Sequence, residues 1–211
     1  MTDFERDDRN AVQEEVLKLF AARKGHFRFE SGHHGDLWLE IPPAYIRPIR
    51  LRRHAAELAR LLAAHDVQAV CGPLVEGAFL AQMVAEELDG EFCFAEQFTR
   101  SGADGLYPVG YRIPTSLRGA IRGKRTAIVD DVINAGSAVR GASGDLQACG
   151  AIIVAIGALL TLGSLASAFA ASKAVPLETL SHLSKNVLWE PSSCPLCASG
   201  APLEVPDDPS R

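Results

Sequence analysis

The sequence predicts an α/β fold, with a central parallel sheet flanked by helices. Short apolar runs alternate with amphipathic stretches along most of the chain, and this alternation is typical of strand–helix–strand units with right-handed crossovers. The length of 211 residues suits one domain with a full core and a small appendage. We therefore expect an N-terminal helix and hairpin at 1–45, the α/β core at 46–190 and a C-terminal tail at 191–211.

The first two elements lie before the alternating region. Residues 11–24 place four apolar side chains on one helical face, and Gly25 is expected to end this helix. The four are Val12, Val16, Leu17 and Phe20. Residues 27–41, FRFESGHHGDLWLEI, carry alternating apolar positions on both sides of a Ser-Gly turn, which predicts a β-hairpin.

The core elements follow in chain order. Residues 50–64 have the pattern of an amphipathic helix, and residues 100–105 form a polar loop. The remaining predictions are strand 67–73, helix 76–88, strand 91–98, strand 106–113, strand 125–130, helix 137–149 and a strand from 151.

The stretch from Ala151 to Ala171 has no charged residue, and a membrane-spanning helix needs about 20 such residues. However, its first half is rich in β-branched residues, glycines interrupt it at 157 and 163, and its second half is rich in Ala and Ser. A buried strand followed by a short helix explains this change of composition better. We therefore expect no membrane span.

The overall composition excludes several classes of protein. The formal net charge is −5, which does not suit a nucleic-acid-binding protein, and the arginines at 47–53 are expected to be the solvated start of a helix. The acidic N-terminus lacks the pattern of a secretory signal. Five cysteines, an odd number, do not suggest a disulfide framework, so we expect a cytoplasmic protein with core thiols at Cys71, Cys93 and Cys149.

The segment AIVDDVINAGSAV, at 127–139, ends an apolar strand with Asp130 and Asp131 and continues into a loop of small residues. In parallel α/β sheets, ligands bind at the carboxyl ends of the strands. The backbone N–H groups of a loop that opens a helix bind anions, whereas carboxylates accept hydrogen bonds from hydroxyl groups or support Mg²⁺. The alternatives are a capped turn at the end of the strand, or a dinucleotide-binding fold, which the missing G-x-G-x-x-G argues against.

This segment resembles the phosphoribosyl pyrophosphate (PRPP) signature of the type I phosphoribosyltransferases. The resemblance implies their fold, with a small N-terminal hood over the parallel sheet, and a homodimer that binds PRPP, Mg²⁺ and a nucleobase. It implies catalytic roles for Asp130, Asp131 and Arg100, and no direct protein ligand to the metal is assigned. The implied 5-phosphate site consists of Asn134, Ala135, Gly136, Ser137 and Ala138.

A second loop, after the strand at 67–73, resembles the pyrophosphate-binding loop of the same family. An ordinary strand-to-helix connection is the alternative for this stretch taken alone. The implied pyrophosphate site consists of Gly72, Pro73, Leu74, Val75, Glu76 and Gly77.

The hairpin is similar to the hood of orotate phosphoribosyltransferases, which implies that Ser31, Gly32 and His33 bind the base. His34 is expected to lie at a solvated hairpin tip. A zinc site from the two adjacent histidines is not expected, because no other ligands have a suitable spacing.

The C-terminal CPLC tail resembles one bacterial and archaeal branch of the orotate enzymes. Cys194 and Cys197 are at most half of a zinc ribbon, because one pair cannot fill four tetrahedral positions. We expect a structural turn here. A zinc ion shared across a dimer and a redox pair are the alternatives.

The sequence also departs from the orotate enzymes. The region from 97 to 114 contains Arg100 and Arg112 but no lysine or histidine, and Glu76 stands where many orotate enzymes have a lysine. The strand from 151 lacks an Asp-Arg pair that is expected near its end in those enzymes.

Taken as a whole, the resemblance implies transfer of the phosphoribosyl group from PRPP to orotate, giving orotidine 5'-monophosphate and pyrophosphate in pyrimidine synthesis. Transfer to a purine or another base, or PRPP-binding regulation without catalysis, are the alternatives.

Overall fold

A computed structural model describes residues 14–100, 105–184 and 187–206. Its strands form two sheets. The strands are β1 (Ala21–Arg28), β2 (His34–Glu40), β3 (Ala69–Pro73), β4 (Glu91–Thr99), β5 (Val109–Arg112), β6 (Arg125–Ile133), β7 (Ile152–Leu162), β8 (Leu177–Leu183) and β9 (Leu188–Trp189).

Helices connect the strands and cover the larger sheet. Residues 14–17 form a helical turn, which we name α1. The other helices are α2 (Pro42–Tyr45), α3 (Ile49–Leu62), α4 (Glu76–Glu87), α5 (Thr115–Ile121), α6 (Ser137–Ala148), α7 (Leu165–Ser172) and α8 (Pro195–Ala198). Short 3₁₀ turns follow α3 and precede α8.

The larger sheet has the strand order β5-β4-β3-β6-β7-β8. The four pairings from β4 to β8 are parallel, and only the edge strand β5 pairs antiparallel with β4. This arrangement confirms the predicted α/β fold with a central, mostly parallel sheet. Since β3 and β6 are neighbours, the loops that follow them meet at the same edge of the sheet.

Both faces of this sheet are buried, as expected for parallel strands covered by helices. Alternate residues of β3 and β6 face opposite sides of the sheet. On one side, Val70 of β3 and Val129 of β6 pack with Leu58 of α3 and Leu80 of α4. On the other side Cys71 packs against apolar side chains of α6 and α7. The buried cysteines at 71, 93 and 149 confirm the expectation of core thiols.

The N-terminal helix predicted at 11–24 is wrong beyond its first turn. Residues 11–13 lie outside the described part of the chain, and Ala21–Arg28 forms β1, with Gly25 inside the strand rather than ending a helix. Pairing with β2 overrides the local helical pattern, because Ala21 lies opposite Glu40 and Lys24 opposite Leu37. The hairpin itself is confirmed.

The uncharged segment at 151–171 forms the buried strand β7 and the short helix α7, as predicted. In the described ranges, no helix has both the length and the apolar character needed to cross a membrane.

The smaller sheet has the order β1-β2-β9, and the C-terminal tail pairs with it. His34 on β2 lies opposite Trp189 on β9. Farther along the tail, Glu204 joins the edge of β1: its N–H donates to the carbonyl of His26, and its carbonyl accepts from the N–H of Arg28, at 2.8 and 2.9 Å. The hairpin and the tail therefore form one unit.

Candidate active site

The two predicted aspartates lie on β6 at the centre of the larger sheet, and both are buried. The Tyr45 hydroxyl donates to Oδ2 of Asp131 at 3.3 Å, and the N–H of Asp131 donates to Oδ1 of Asp130 at 3.1 Å. A buried carboxyl pair needs hydrogen-bond donors or a cation to offset the lost hydration. The hydrogen bonds from Tyr45 and from the backbone offset only part of this cost, since both carboxyls stay destabilised by burial.

Burial raises the pKa of both carboxyls. For Asp130 the burial effect is followed by repulsion from Asp131, and Glu30 and Glu76 also raise the pKa. For Asp131, burial and the charge of Glu76 raise the pKa to about 7 against the opposing effect of hydrogen bonds from Val132 and Tyr45. Perturbed carboxyl groups of this kind cluster at functional sites.

The predicted pyrophosphate loop, at 72–77, packs directly against Asp130. A Cβ atom on Gly77 would collide with Oδ1 of Asp130 and would lie 3.1 Å from the ring of Pro73. A Cβ on Gly72 would lie 2.6 Å from Cα of Ala78. Only glycine permits this contact between loop, helix and carboxylate. The contact joins Gly77 to Asp130, which lie more than fifty residues apart in the sequence.

Within this loop, the peptide bond between Leu74 and Val75 is cis. The N–H of Leu74 donates to the carbonyl of Ala95 at 2.9 Å, which fixes the loop to β4. The side chain of Val75 is 56% exposed, and Glu76 begins α4.

The predicted 5-phosphate loop, at 134–138, leads from β6 into α6. Gly136 has φ 76° and precedes the first residue of the helix, a left-handed conformation that glycine adopts without strain. The hydroxyl of Ser137 is buried and has no hydrogen-bond partner among the described residues. A buried hydroxyl at a helix N-terminus suits an anion that accepts its hydrogen bond.

The hood turn approaches the phosphate loop through Tyr107. The N–H of Tyr107 donates to the carbonyl of Ser31 at 2.8 Å, and its hydroxyl donates to the carbonyl of Ala135 at 3.4 Å. The edge of its ring lies against His33, whose Nδ1 is 3.0 Å from Oγ of Ser31. Gly32, with φ 81°, completes the turn. The predicted base-binding residues thus lie beside the predicted phosphate site.

Burial lowers the pKa of His33, the nearby charge of Glu190 opposes this effect, and Arg140 adds to it. His33 and Glu190 line a cleft of about 350 Å³ between the end of β7 and β9. The other lining residues are Leu162, Gly163, Ser164, Leu165, Val187 and Leu188.

Arg140 lies beside the predicted 5-phosphate loop at 134–138, and the sequence analysis missed it. Its guanidinium lies over the rings of Tyr107 and Phe169, with Cζ 5.2 and 4.4 Å from the ring centroids. Its Nε is 3.5 Å from the carbonyl of Ala135. The signal was present in the sequence, because Arg140 follows Gly136 by four residues and so faces the loop from the first turn of α6.

Arg100 and Arg112, the two arginines of the region from 97 to 114, make their contacts away from the aspartates. Arg100 is exposed at the end of β4, and its N–H donates to the carbonyl of Pro108. Residues 101–104 of the predicted polar loop lie outside the described part of the chain. Arg112 pairs with Glu96 at 3.7 Å and lies over the ring of Phe98.

His34 is not a solvated tip, since its side chain is 4% exposed. The expectation that no other ligands accompany it is also wrong. His26, His34, Cys194 and Cys197 bring four possible ligand atoms within 4.8 Å of one another. Spacing along the chain could not reveal this group, because it forms only when the tail pairs with the hairpin.

Comparison with protein families identifies one domain in the chain. Residues 45–179 match the family described as "Phosphoribosyl transferase domain". Curated relatives include the orotate phosphoribosyltransferase of Thermotoga maritima, 30% identical over 92% of this chain and 96% of the relative. The orotate phosphoribosyltransferase of Thermus thermophilus is 30% identical over 90% and 98%.

Solved structures with the same fold include enzymes for two different bases. Adenine phosphoribosyltransferase from Rhodothermus marinus has a TM-score of 0.63 at 21% identity, covering 82% of this chain and 99% of that one. Orotate phosphoribosyltransferase from Aeropyrum pernix has a TM-score of 0.59 at 20% identity, covering 83% and 93%. These likenesses establish the fold and leave the base open.

Proposed function

The chain belongs to the type I phosphoribosyltransferase family, and from that premise we propose that it transfers the phosphoribosyl group of PRPP to orotate. The products are orotidine 5'-monophosphate and pyrophosphate. The observation that carries the choice of orotate is the relationship to orotate phosphoribosyltransferases at 30% identity over 92% of the chain.

The proposed binding mode assigns one part of PRPP to each segment of the site. The amides at 135–138 and the Ser137 hydroxyl bind the 5-phosphate, Asp130 and Asp131 accept hydrogen bonds from the ribose hydroxyls, and the loop at 72–77 binds pyrophosphate. The orphaned Ser137 hydroxyl and the packing of Gly77 on Asp130 support this assignment.

The C1–O bond to pyrophosphate breaks as the bond from C1 to the base nitrogen forms, and positive charge develops on the ribose. The cation that accompanies PRPP would favour the ionised form of both carboxyls, whose pKa values are raised in the free protein. Two ionised carboxylates next to that ribose would stabilise this charge, and the buried position strengthens the effect. Catalysis then rests on positioning and electrostatics. Arg100 stays in the proposal as a catalytic residue only if the end of β4 moves toward the site.

Mg²⁺ bound with PRPP would neutralise charge on the departing pyrophosphate. A cation would suit this end of β6, because the charges of Asp131, Glu30 and Glu76 all act on the buried Asp130, and Oε1 of Glu30 is buried without a hydrogen-bond partner in the described ranges. Asp130 and Asp131 would be the residues nearest to the ion, and no direct protein ligand to it is assigned.

One observation favours an amino-purine as the alternative base. The cleft at the end of β7 carries the carboxylate of Glu190, whereas orotate is an anion that needs a donor or a cation. An amino-purine could donate to that carboxylate, and adenine enzymes share the fold. For orotate, His33 lines the cleft and could donate to it, and Arg140 lies close enough to lower the pKa of His33.

An assay with PRPP, Mg²⁺ and one base at a time tests the proposal. We expect loss of orotate absorbance with release of pyrophosphate, and at least about 100-fold lower kcat/KM with adenine, hypoxanthine or guanine. A preference for a purine would reverse the choice of base. Thermal stabilisation by PRPP without turnover of any base would indicate a regulator.

Arg140→Met is expected to raise the KM for PRPP by about tenfold, with a smaller change in kcat and in the KM for the base. Methionine keeps an apolar stem between the two rings but removes the charge beside the phosphate loop. A tenfold change corresponds to about 1.4 kcal/mol, within the range of a hydrogen bond to a charged group. Steady-state kinetics with PRPP varied measures this.

The matched control is Arg112→Met, because that guanidinium also lies over an aromatic ring but pairs with Glu96. Its KM for PRPP should stay within about twofold of the unmodified value. Equal effects of the two substitutions would contradict the assignment of Arg140 to the phosphate.

The proposal includes a homodimer, supported by apolar side chains on α2 to α4 and the connections between them. Ile46 is 79% exposed, Ile49 71% and Phe79 50%, and the Phe79 ring lies 6.0 Å from that of Tyr45, the neighbour of Ile46. Exposed apolar side chains on adjoining elements mark an interaction surface. Phe79→Lys should therefore halve the mass measured by light scattering. Ile152→Lys, at a side chain with 52% exposure at the start of β7, should leave the dimer intact. A monomeric unmodified protein would remove the dimer from the proposal.

A further inference from the structure

Four side chains converge at the junction of the hairpin and the tail. His26 lies on β1 where its register with β2 shifts, and His34 begins β2. Cys194 immediately precedes α8, and Cys197 lies within it. His26, His34 and Cys194 are each no more than 4% exposed. We propose that these four residues form a structural Zn²⁺ site.

The distances suit one tetrahedral ion. Nε2 of His26 lies 3.1 Å from Nδ1 of His34 and 3.4 Å from Sγ of Cys194. Sγ of Cys197 lies 3.6 Å from the first nitrogen and 3.2 Å from the second. With Zn–S bonds of about 2.3 Å and Zn–N bonds of about 2.0–2.1 Å, tetrahedral geometry separates two nitrogens by about 3.3 Å and a nitrogen from a sulfur by about 3.5 Å.

A backbone contact fixes the tautomer of His26. Its Nδ1 is 2.9 Å from the carbonyl of Ala201, which only accepts hydrogen bonds, so Nδ1 carries the proton. Nε2 therefore directs a lone pair at His34 and the two sulfurs. A hydrogen bond from the remote ring nitrogen to a carbonyl is the usual support of a metal-bound histidine.

The ligand set selects the metal and the type of site. Two sulfurs and two imidazoles are a ligand set that zinc prefers, whereas calcium and magnesium prefer oxygen. Four protein ligands leave no open position for substrate, so the ion would be structural. The site is independent of which base the enzyme uses.

The ion would join the tail to the hood. One half of the ligand set comes from the hairpin and the other from a tail of short elements, and backbone hydrogen bonds at Glu204 hold the same two segments together. Because His34 adjoins His33, the ion would also hold the base-side turn in place. Binding free energy at such sites contributes directly to folding.

Zinc analysis of the full chain, purified without a polyhistidine tag and under reducing conditions, tests the proposal. We expect about one zinc per chain, with X-ray absorption fitted by two sulfurs at about 2.3 Å and two nitrogens at about 2.0–2.1 Å. Replacing zinc by Co²⁺ should give the visible absorption of a tetrahedral cobalt thiolate. Removing the metal should lower the Tm.

Cys197→Ser is the main variant, because this side chain is exposed and its replacement leaves the core intact. It should lower the zinc content and the cobalt absorption at least about tenfold. Cys149→Ser, a cysteine outside the group, should keep both. The proposal is wrong if the unmodified chain neither contains zinc nor binds Co²⁺, if Cys197→Ser keeps its zinc, or if Cys194 and Cys197 form a disulfide instead.

Discussion

Asp131→Asn should abolish phosphoribosyl transfer while leaving the fold intact. Asparagine has the same shape, and its oxygen can still accept from the N–H of Val132 as the carboxylate does. It removes the negative charge proposed to stabilise the ribose in the transition state. Loss of one such group typically costs about 10²–10³ in rate, so we expect kcat to fall by at least that factor.

Pyrophosphate release measures the rate, and circular dichroism establishes that the variant folds. Asp66→Asn is a suitable control, because Asp66 is an aspartate in a surface turn after α3, with 87% of its side chain exposed. It should keep full activity. An active Asp131→Asn variant would show that the acidic pair has been assigned the wrong role.

The same substitution should make the free protein more stable at alkaline pH. The pKa of Asp131 is raised from 3.8 to about 7, chiefly by burial, so the folded state holds a proton that the unfolded chain releases near pH 4. The stabilising contribution of this protonation is complete below about pH 4 and is lost as the pH rises through about 7, at no more than about 1.4 kcal/mol per pH unit.

Denaturation at pH 5 and pH 8, without PRPP or Mg²⁺, measures this effect. The gain in the free energy of unfolding from Asp131→Asn should be larger at pH 8. Asp130 also has a raised pKa, so the variant should keep a weaker pH dependence. Equal gains at the two pH values would indicate that Asp131 is ionised in the free enzyme.

The core of the fold could be predicted because its signals are local. Most elements from α3 to β7 follow from amphipathic or apolar periods, and their observed bounds lie close to those expected. The exception is α5, Thr115–Ile121, for which the sequence analysis gives no helix. The N-terminal segment could not be predicted in the same way. Residues such as Ala21 and Lys24 suit a helix, and only their pairing with β2 makes them a strand.

The residues of the candidate site also differ in whether a local sequence pattern reveals them. The loops at 72–77 and 134–138 each carry a local pattern, and the neighbouring positions of β3 and β6 bring them together. The group of His26, His34 and two cysteines has no local pattern, because its halves are about 160 residues apart. The partners of Tyr107 likewise depend on tertiary structure.

Gly77→Ala should reduce both activity and stability, although alanine favours helices. Gly77 is the second residue of α4, where alanine would gain up to about 1 kcal/mol from helix propensity alone. A Cβ atom there would collide with Oδ1 of Asp130 and press on Pro73. Overpacking a rigid contact of this kind costs about 1–3 kcal/mol, so steric strain should outweigh propensity.

Gly144→Ala separates the two effects, because Gly144 also lies inside a helix and a Cβ there would meet nothing within 4 Å. This variant should gain about 0.5–1 kcal/mol in the free energy of unfolding and keep full activity. Gly77→Ala should lose stability and about 100-fold in kcat/KM, because Asp130 must move from the ribose. If both variants gained stability and kept activity, α4 would not be held against the acidic pair, and the pyrophosphate loop would need another location.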